Sequence, residues 1–277
     1  MNCLTKKISF ISGATSGFGK ELSIHLAKNG YHVLIHGRNQ NKLNSLYDKI
    51  KSLNGTSTII NLDLKDYNGI DKLGYEIFKK YKKLDLLVMN AAILGTLTPL
   101  CHQEPKEFEE VLNTNLIANF RLLRSLELSL KESKHGELCV ISSKLTKEPK
   151  PFWGAYSISK AALEQMIYSW HLENKKTNVK VYIIHPKPIN TKLRKTAMPG
   201  ENEKKKSVNI YIKKVVWDSL HHRMRAVFPR AEFRSEPTRR ASRFRFRSTS
   251  WICISSRVLK KIMIVGHQKL REKIKIW

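Results

Sequence analysis

The chain has 277 residues, 41% of them hydrophobic, and carries 51 Lys and Arg against 23 Asp and Glu, a formal net charge of +28. That hydrophobic share excludes a wholly disordered chain, the length suits one α/β domain with a decoration, and no apolar run is long enough to span a bilayer. The charge raises nucleic acid or an anionic membrane as a partner, but through Gly200 the cations are 26 lysines and four arginines against 17 acids, a pattern that solvated surface lysines explain without any polyanion.

The start, Met1 to Ser12, runs straight into a strand-like segment with no long apolar stretch or small-residue cleavage site, so no signal peptide is expected. Cys3, Cys101, Cys139 and Cys253 are scattered, without metal-ligand spacing, and read as reduced thiols of a cytoplasmic protein with no metal site. The first strand, Lys7–Ser12, ends in Gly13-Ala-Thr-Ser-Gly17-Phe-Gly19, which opens a helix over Phe18–Lys28. Glycines there permit a tight turn and close backbone approach, and the helix amino terminus presents unpaired N–H groups to a pyrophosphate.

A second strand, His32–His36, leads through Gly37-Arg38-Asn39 to a helix at Asn41–Leu53, and a third, Thr58–Leu62, is followed by Asp63 and Leu64 and a helix at Gly69–Lys82. The fourth strand, Leu84–Met89, gives way to Asn90-Ala91-Ala92 and a long helix over Pro105–Glu132 that contains Asn115. The fifth, Leu138–Ser142, is closed by Ser143 and followed by a helix at Ala155–Asn174, and the sixth, Val179–Ile184, by Pro186-Lys187-Pro188-Ile189-Asn190-Thr191. Strands alternating with amphipathic helices predict parallel pairing and right-handed crossovers. The fold class is therefore α/β, a doubly wound parallel sheet of Rossmann type in three layers, with its ligand crevice at the strand carboxyl ends.

Tyr156 and Lys160 lie four residues apart on the sixth-strand-side helix, hence on one face, where the ammonium can favour the ionised phenol. A phenol of ordinary pKa near 10 becomes a usable general acid/base when that value approaches the working pH. The spacing Gly-x-x-x-Gly-x-Gly, the Tyr-x-x-x-Lys pair and the strands between them resemble the short-chain dehydrogenase/reductase family over roughly Lys6 to Leu220. The resemblance implies a catalytic set of Asn115, Ser143, Tyr156 and Lys160. Asn115 kinks its helix and holds a relay water, Ser143 hydrogen-bonds the substrate oxygen, and Ser142 is the weaker candidate. It also implies a cofactor site made of Gly13, Thr15, Ser16, Gly17, Phe18, Gly19, Asp63, Leu64, Asn90, Ala91, Tyr156, Lys160, Pro186, Ile189 and Thr191. Asp63 would bond the adenine, although as a bare residue it reads as a helix cap. Three departures stand out: Met89 for a usual asparagine, Ala92 for a usual glycine, and Lys187 where a glycine is usual. If that last position needs positive φ, a lysine costs on the order of 1 kcal/mol.

Arg38 ends the second strand where an acidic residue would bind the ribose diol of NAD, and a guanidinium can pair with a 2′-phosphate. NADP(H) is therefore favoured over NAD(H). The expected reaction is hydride transfer between NADP(H) and a carbonyl or alcohol, with detailed similarity pointing to the acyl-carrier-protein ketoreductases and hence to a 3-oxoacyl thioester. The competing reading is a decayed or non-catalytic Rossmann-type nucleotide-binding protein. A homo-oligomer is expected if the carboxyl terminus permits, with no membrane partner and nucleic acid disfavoured.

Beyond about Trp217 the composition changes. Nine arginines fall between Arg223 and Arg247, against four in the first 200 residues. The chain is expected to divide into a catalytic domain at 1–220 and an atypical basic tail at 221–277. That tail is either a basic arm for nucleic acid or a membrane surface, or a foreign segment appended by insertion or a shifted reading frame. The second is preferred because amino-acid usage changes along with charge. No convincing seventh strand follows Leu220.

Overall fold

A computed structural model describes residues 6–200 together with Val208 and Ile212. The sequence readings on the 220/221 boundary, the arginine-rich run and a seventh strand lie outside the described residues. Six strands alternate with helices in the expected order: β1 (Ile8–Ile11), α1 (Gly17–Lys28), β2 (His32–Gly37), α2 (Gln40–Lys51), β3 (Thr56–Asn61), α3 (Tyr67–Tyr81) and β4 (Leu86–Met89). After these come α4 (Pro105–Leu112), α5 (Ala118–Lys131), β5 (Glu137–Ile141), α6 (Gly154–Glu173), β6 (Lys180–Ile184) and α7 (Lys192–Ala197). Every pairing is parallel, and the sheet order is β3-β2-β1-β4-β5-β6. The chain leaves β1 towards β2 on one side and β4 towards β5 on the other, so the order reverses between β1 and β4 and a crevice opens at their carboxyl ends.

Alternation along each strand divides the core into two layers. Phe10, Leu34, Leu87, Met89, Leu138 and Val140 face α3, α5 and α6. Ile11, Val33, Ile35, Leu86, Val88 and Cys139 face α1 and α2. A sheet covered on both faces requires apolar residues at nearly every strand position, which is why the central strands read as continuous Ile, Val and Leu runs. Met89, a departure from the family pattern, is an ordinary core residue here, 1% exposed.

Two sequence expectations change. The helix predicted over Pro105–Glu132 is divided by a π-helical segment, Asn113–Ile117, and Asn115 at its centre turns its side chain away to the loop after β4. The cap of α3 is Asp66, whose Oδ1 accepts from the Gly69 N–H at 2.9 Å. Asp63 is exposed and accepts from the Lys65 N–H at 3.0 Å in a local turn.

Candidate active site

The glycine turn lies at the switch point. Gly13 and Gly17 have φ of +65° and +50°, where a side chain is strained. Gly19 is ordinary in φ but crowded: a Cβ there would lie 2.5 Å from the Gly13 carbonyl oxygen and 2.6 Å from Asn90 Nδ2. The turn is pinned from behind. Asn90 Nδ2 donates to the carbonyls of Ser12 and Gly13 at 3.0 and 3.1 Å, and Ser12 Oγ accepts from the N–H groups of Asn90 and Ala91 at 2.9 and 3.0 Å. Asn90 thus spends its side chain on shaping the turn.

His36 Nδ1 accepts from the Gly13 N–H at 3.3 Å. Burial pushes this imidazole down to about 4, so it is neutral at physiological pH, as an accepting Nδ1 requires. Sequence reasoning missed Ser12 and His36 because neither belongs to a readable spacing.

The amino terminus of α1 differs from those of α2 and α7. Asn39 caps α2 and Thr191 caps α7 through side-chain oxygens, whereas Ser16 makes no side-chain cap bond and the first turn holds no acidic residue. Its N–H groups and dipole are suited to an anion. Together, the crowded cradle and the uncapped terminus fit a dinucleotide pyrophosphate. Phe18 is buried in the core beneath α1, and Thr15 packs its methyl over the end of β2, 2.7 Å from where a Cβ on Gly37 would sit. Arg38 follows immediately and is exposed, while at the end of β3 Asp63 is exposed and Leu64 buried.

On the other side of the crevice, Asn115 is fully buried. Its Nδ2 donates to the Ile93 carbonyl at 2.9 Å and to Ser159 Oγ at 3.0 Å, and its Oδ1 accepts from the Ile93 N–H at 2.8 Å. The π segment thereby ties the loop after β4 to the α6 turn between Tyr156 and Lys160. Ser142 and Ser143 part as their opposite faces require: Ser142 is buried with its hydroxyl on Glu164, and Ser143 is partly exposed, its Oγ accepting from the Leu145 N–H at 3.3 Å.

Tyr156 is 8% exposed and meets Trp153 edge-on, ring centroids 6.1 Å apart. Around it gather Ala92, Leu94 and Leu97 from the loop after β4, Leu145 from the loop after β5, and Leu193, Ala197 and Met198 from the segment after β6. Lys160 is buried, its Nζ donating to the Ile141 carbonyl at 2.8 Å and lying 5.9 Å from the Tyr156 ring centroid. The expectation that Lys160 holds the phenol below its usual value is not met: burial pushes Tyr156 up to about 12, and burial also pulls Lys160 down to about 8 against the opposing charge of Glu164. Desolvation dominates because the ammonium is directed at a backbone carbonyl.

The loop after β6 closes over the glycine turn. Ile189 is buried and Pro186 half-buried, and the Thr191 methyl would be 3.3 Å from a Cβ on Gly17. Lys187 is exposed and is not among the residues of positive φ, so the strain expected of a lysine at this position does not arise.

A parallel switch-point sheet, a glycine cradle and a buried Tyr-x-x-x-Lys pair define a nicotinamide-dependent oxidoreductase. The family model for short chain dehydrogenases matches residues 7–202, and the chain belongs to that family as an NAD(P)-dependent dehydrogenase/reductase. Relatives include the uncharacterised oxidoreductase YciK of Escherichia coli K12, 30% identical over 73% of this chain and 81% of that protein. Another is the 3-oxoacyl-[acyl-carrier-protein] reductase FabG of Rickettsia felis, 34% identical over 66% of this chain and 73% of its own. Among solved structures, E. coli YciK superposes with a TM-score of 0.74 at 29% identity, covering 79% of this chain and 93% of its own. A candidate short chain dehydrogenase of E. coli CFT073 complexed with NADPH gives 0.72 at 29% identity, covering 78% and 91%.

Proposed function

We propose that residues 1–220 form a catalytic domain that reduces a carbonyl to an alcohol with NADPH. The observation that carries the reading is the buried Tyr156 phenol with buried Lys160 one turn along, on the crevice that the glycine cradle opens. When bound, the cofactor supplies a hydride to the carbonyl carbon. Ser143 and Tyr156 polarise the carbonyl oxygen, and Tyr156 releases its proton to the alkoxide that develops there. A phenol at about 12 keeps that proton at working pH yet is a far stronger acid than an alcohol, which suits the reductive direction. Lys160 binds the nicotinamide ribose, and Asn115 holds the water that returns the proton to the phenolate.

Gly13, Thr15, Ser16, Gly17, Phe18 and Gly19 hold the pyrophosphate side, Asp63 and Leu64 the adenine, Asn90 and Ala91 the ribose-facing wall, and Pro186, Ile189 and Thr191 the nicotinamide. The apolar ring around Tyr156 supports a substrate with hydrocarbon beside its carbonyl, and a 3-oxoacyl thioester is the specific compound class proposed.

The cofactor is NADP(H), because exposed Arg38 at the end of β2 can pair with a 2′-phosphate. Titrating the full-length protein with NADPH and NADH by nicotinamide fluorescence tests this: NADPH should bind at least tenfold tighter, and Arg38→Ala should weaken NADPH binding by about tenfold while leaving NADH nearly unchanged. Equal losses for the two would refute the assignment, and no binding of either would refute the cofactor site itself. The free thiols Cys101 and Cys139 fit a reducing compartment, the cytoplasm. No helix among the described residues is long and apolar enough to cross a membrane.

Self-association is proposed through α5 and α6. Phe120, Leu128 and Leu172 are 48%, 55% and 58% exposed, and Phe120 borders a groove of about 460 Å³ that Met166 and Trp170 also line. Light scattering should give a dimer or larger, and Phe120→Glu should shift it towards monomer; a wild-type monomer at micromolar concentration would discount the interface.

A further inference from the structure

Behind the phenol and the lysine lies a polar cluster that the mechanism above does not use. Glu164, one turn beyond Lys160 on α6, is 6% exposed. Its Oε1 takes hydrogen bonds from Ser142 Oγ at the exit of β5 and from His185 Nε2, 2.7 Å away at the exit of β6. Thr146, in the loop after β5, donates to the Ser143 carbonyl at 3.0 Å. A carboxylate only accepts, so the Ser142 hydroxyl and the His185 Nε2–H both donate to it. Burial alone would raise this carboxyl, but the bonds from His185 and Ser142 help to outweigh burial and hold it below its ordinary value. One turn earlier, Lys160 Nζ is bonded to the carbonyl of Ile141, the residue before Ser142. The helix that carries Tyr156 is therefore fastened at two successive turns to the strand ends that present Ser143.

We propose that Glu164, held by Ser142 and His185, is a positioning residue of this site: it fixes α6 against the exits of β5 and β6 and provides the buried countercharge that keeps Lys160 an ammonium. The inference rests on the roles given above to Ser143, Tyr156 and Lys160. Its physical logic is that an ammonium removed from water is unstable without an opposite charge, and one backbone carbonyl supplies only a dipole. Among the described residues, the titratable groups that bear on Lys160 are Tyr156 and Glu164 on its own helix. Those that bear on Glu164 are Lys160 and Tyr168 on α6 and His185 from the β6 exit. Glu164 is thus the acid whose charge opposes the loss of the lysine proton. No local motif announces this role, because its partners come from two other strands.

The test reads the lysine directly. In full-length protein carrying 13C at the lysine ε-carbon, the Lys160 resonance is the one missing from Lys160→Met, and its midpoint in the wild type should fall near 8. Glu164→Gln keeps size and hydrogen-bonding capacity but deletes the charge, and should lower that midpoint by about one pH unit. With a carbonyl substrate, the same variant should show kcat roughly fivefold lower at pH 8 and within about twofold of wild type at pH 6, since lower pH restores the ammonium. A packing role alone would depress both pH values equally and leave the midpoint in place, and that result would overturn the proposal. Should Glu164→Gln fail to fold, the wild-type resonance still decides: protonation of Glu164 should give it a second, smaller inflection in the acid range, and a single inflection counts against coupling. If no carbonyl compound is turned over while NADPH binds, the catalytic reading fails, and the lysine titration still judges the countercharge separately.

Discussion

Tyr156→Phe should lower turnover by on the order of 10³-fold while leaving NADPH affinity within about twofold of wild type. The substitution removes one oxygen from a side chain that is 8% exposed and otherwise packed by Trp153 and the apolar ring, so the pocket keeps its shape. What disappears is the proton donor. Burial holds that proton at about 12, so the phenol is fully protonated at any practical assay pH, and the developing alkoxide takes its proton from a group poised beside it. Without the hydroxyl the alkoxide must wait for water in a largely apolar enclosure, and a barrier increase of about 4 kcal/mol corresponds to the stated loss. Steady-state kinetics with NADPH and a carbonyl substrate, beside a fluorescence titration of the cofactor, separate the two effects. Turnover retained to within tenfold would exclude Tyr156 as the acid; loss of cofactor binding along with turnover would show that the hydroxyl matters chiefly to binding.

Gly19→Ala should weaken binding of NADPH and NADH alike by about 100-fold or more. The residue has an ordinary helical backbone, so the substitution carries no φ strain. Its whole effect is steric: the new Cβ would stand 2.5 Å from the Gly13 carbonyl oxygen and 2.6 Å from Asn90 Nδ2. Real contacts of this kind are never so short, and the obstacle is backbone, so either the turn moves or Asn90 lets go of the carbonyls of Ser12 and Gly13. Each response displaces the N–H groups that face the pyrophosphate, and overpacking of this kind costs about 1–3 kcal/mol in stability besides. Gly30→Ala is the control. Gly30 has φ of +84° with nothing within 4 Å of a new Cβ, so it should lose about 1 kcal/mol of stability and retain cofactor affinity. Affinity unchanged in Gly19→Ala would mean that the turn yields freely and that the glycine cradle does not set the pyrophosphate site.

Tyr156 and Gly19 are both brought forward by sequence spacing alone. The βα rhythm, the parallel sheet, the glycine turn and the Tyr156-Lys160 pair were legible because each is local: alternation, a turn of seven residues, one step along a helix. The family's catalytic serine was separable from Ser142 by the same local rule, since neighbours on a strand face opposite ways.

What only the tertiary structure decided is where those groups meet and what the surroundings do to them. The π segment at Asn115 replaces a continuous helix because that side chain bonds to Ile93 and Ser159. Ser12, His36, Glu164 and His185 acquire roles from partners on other strands and helices. The direction of the phenol's shift also reversed: spacing suggested an ionised tyrosine, and burial made it a firmly protonated one. Local pattern determined the identity and order of the chemical groups; desolvation and long-range hydrogen bonding, which depend on what the folded chain brings alongside, decided their charge and their orientation.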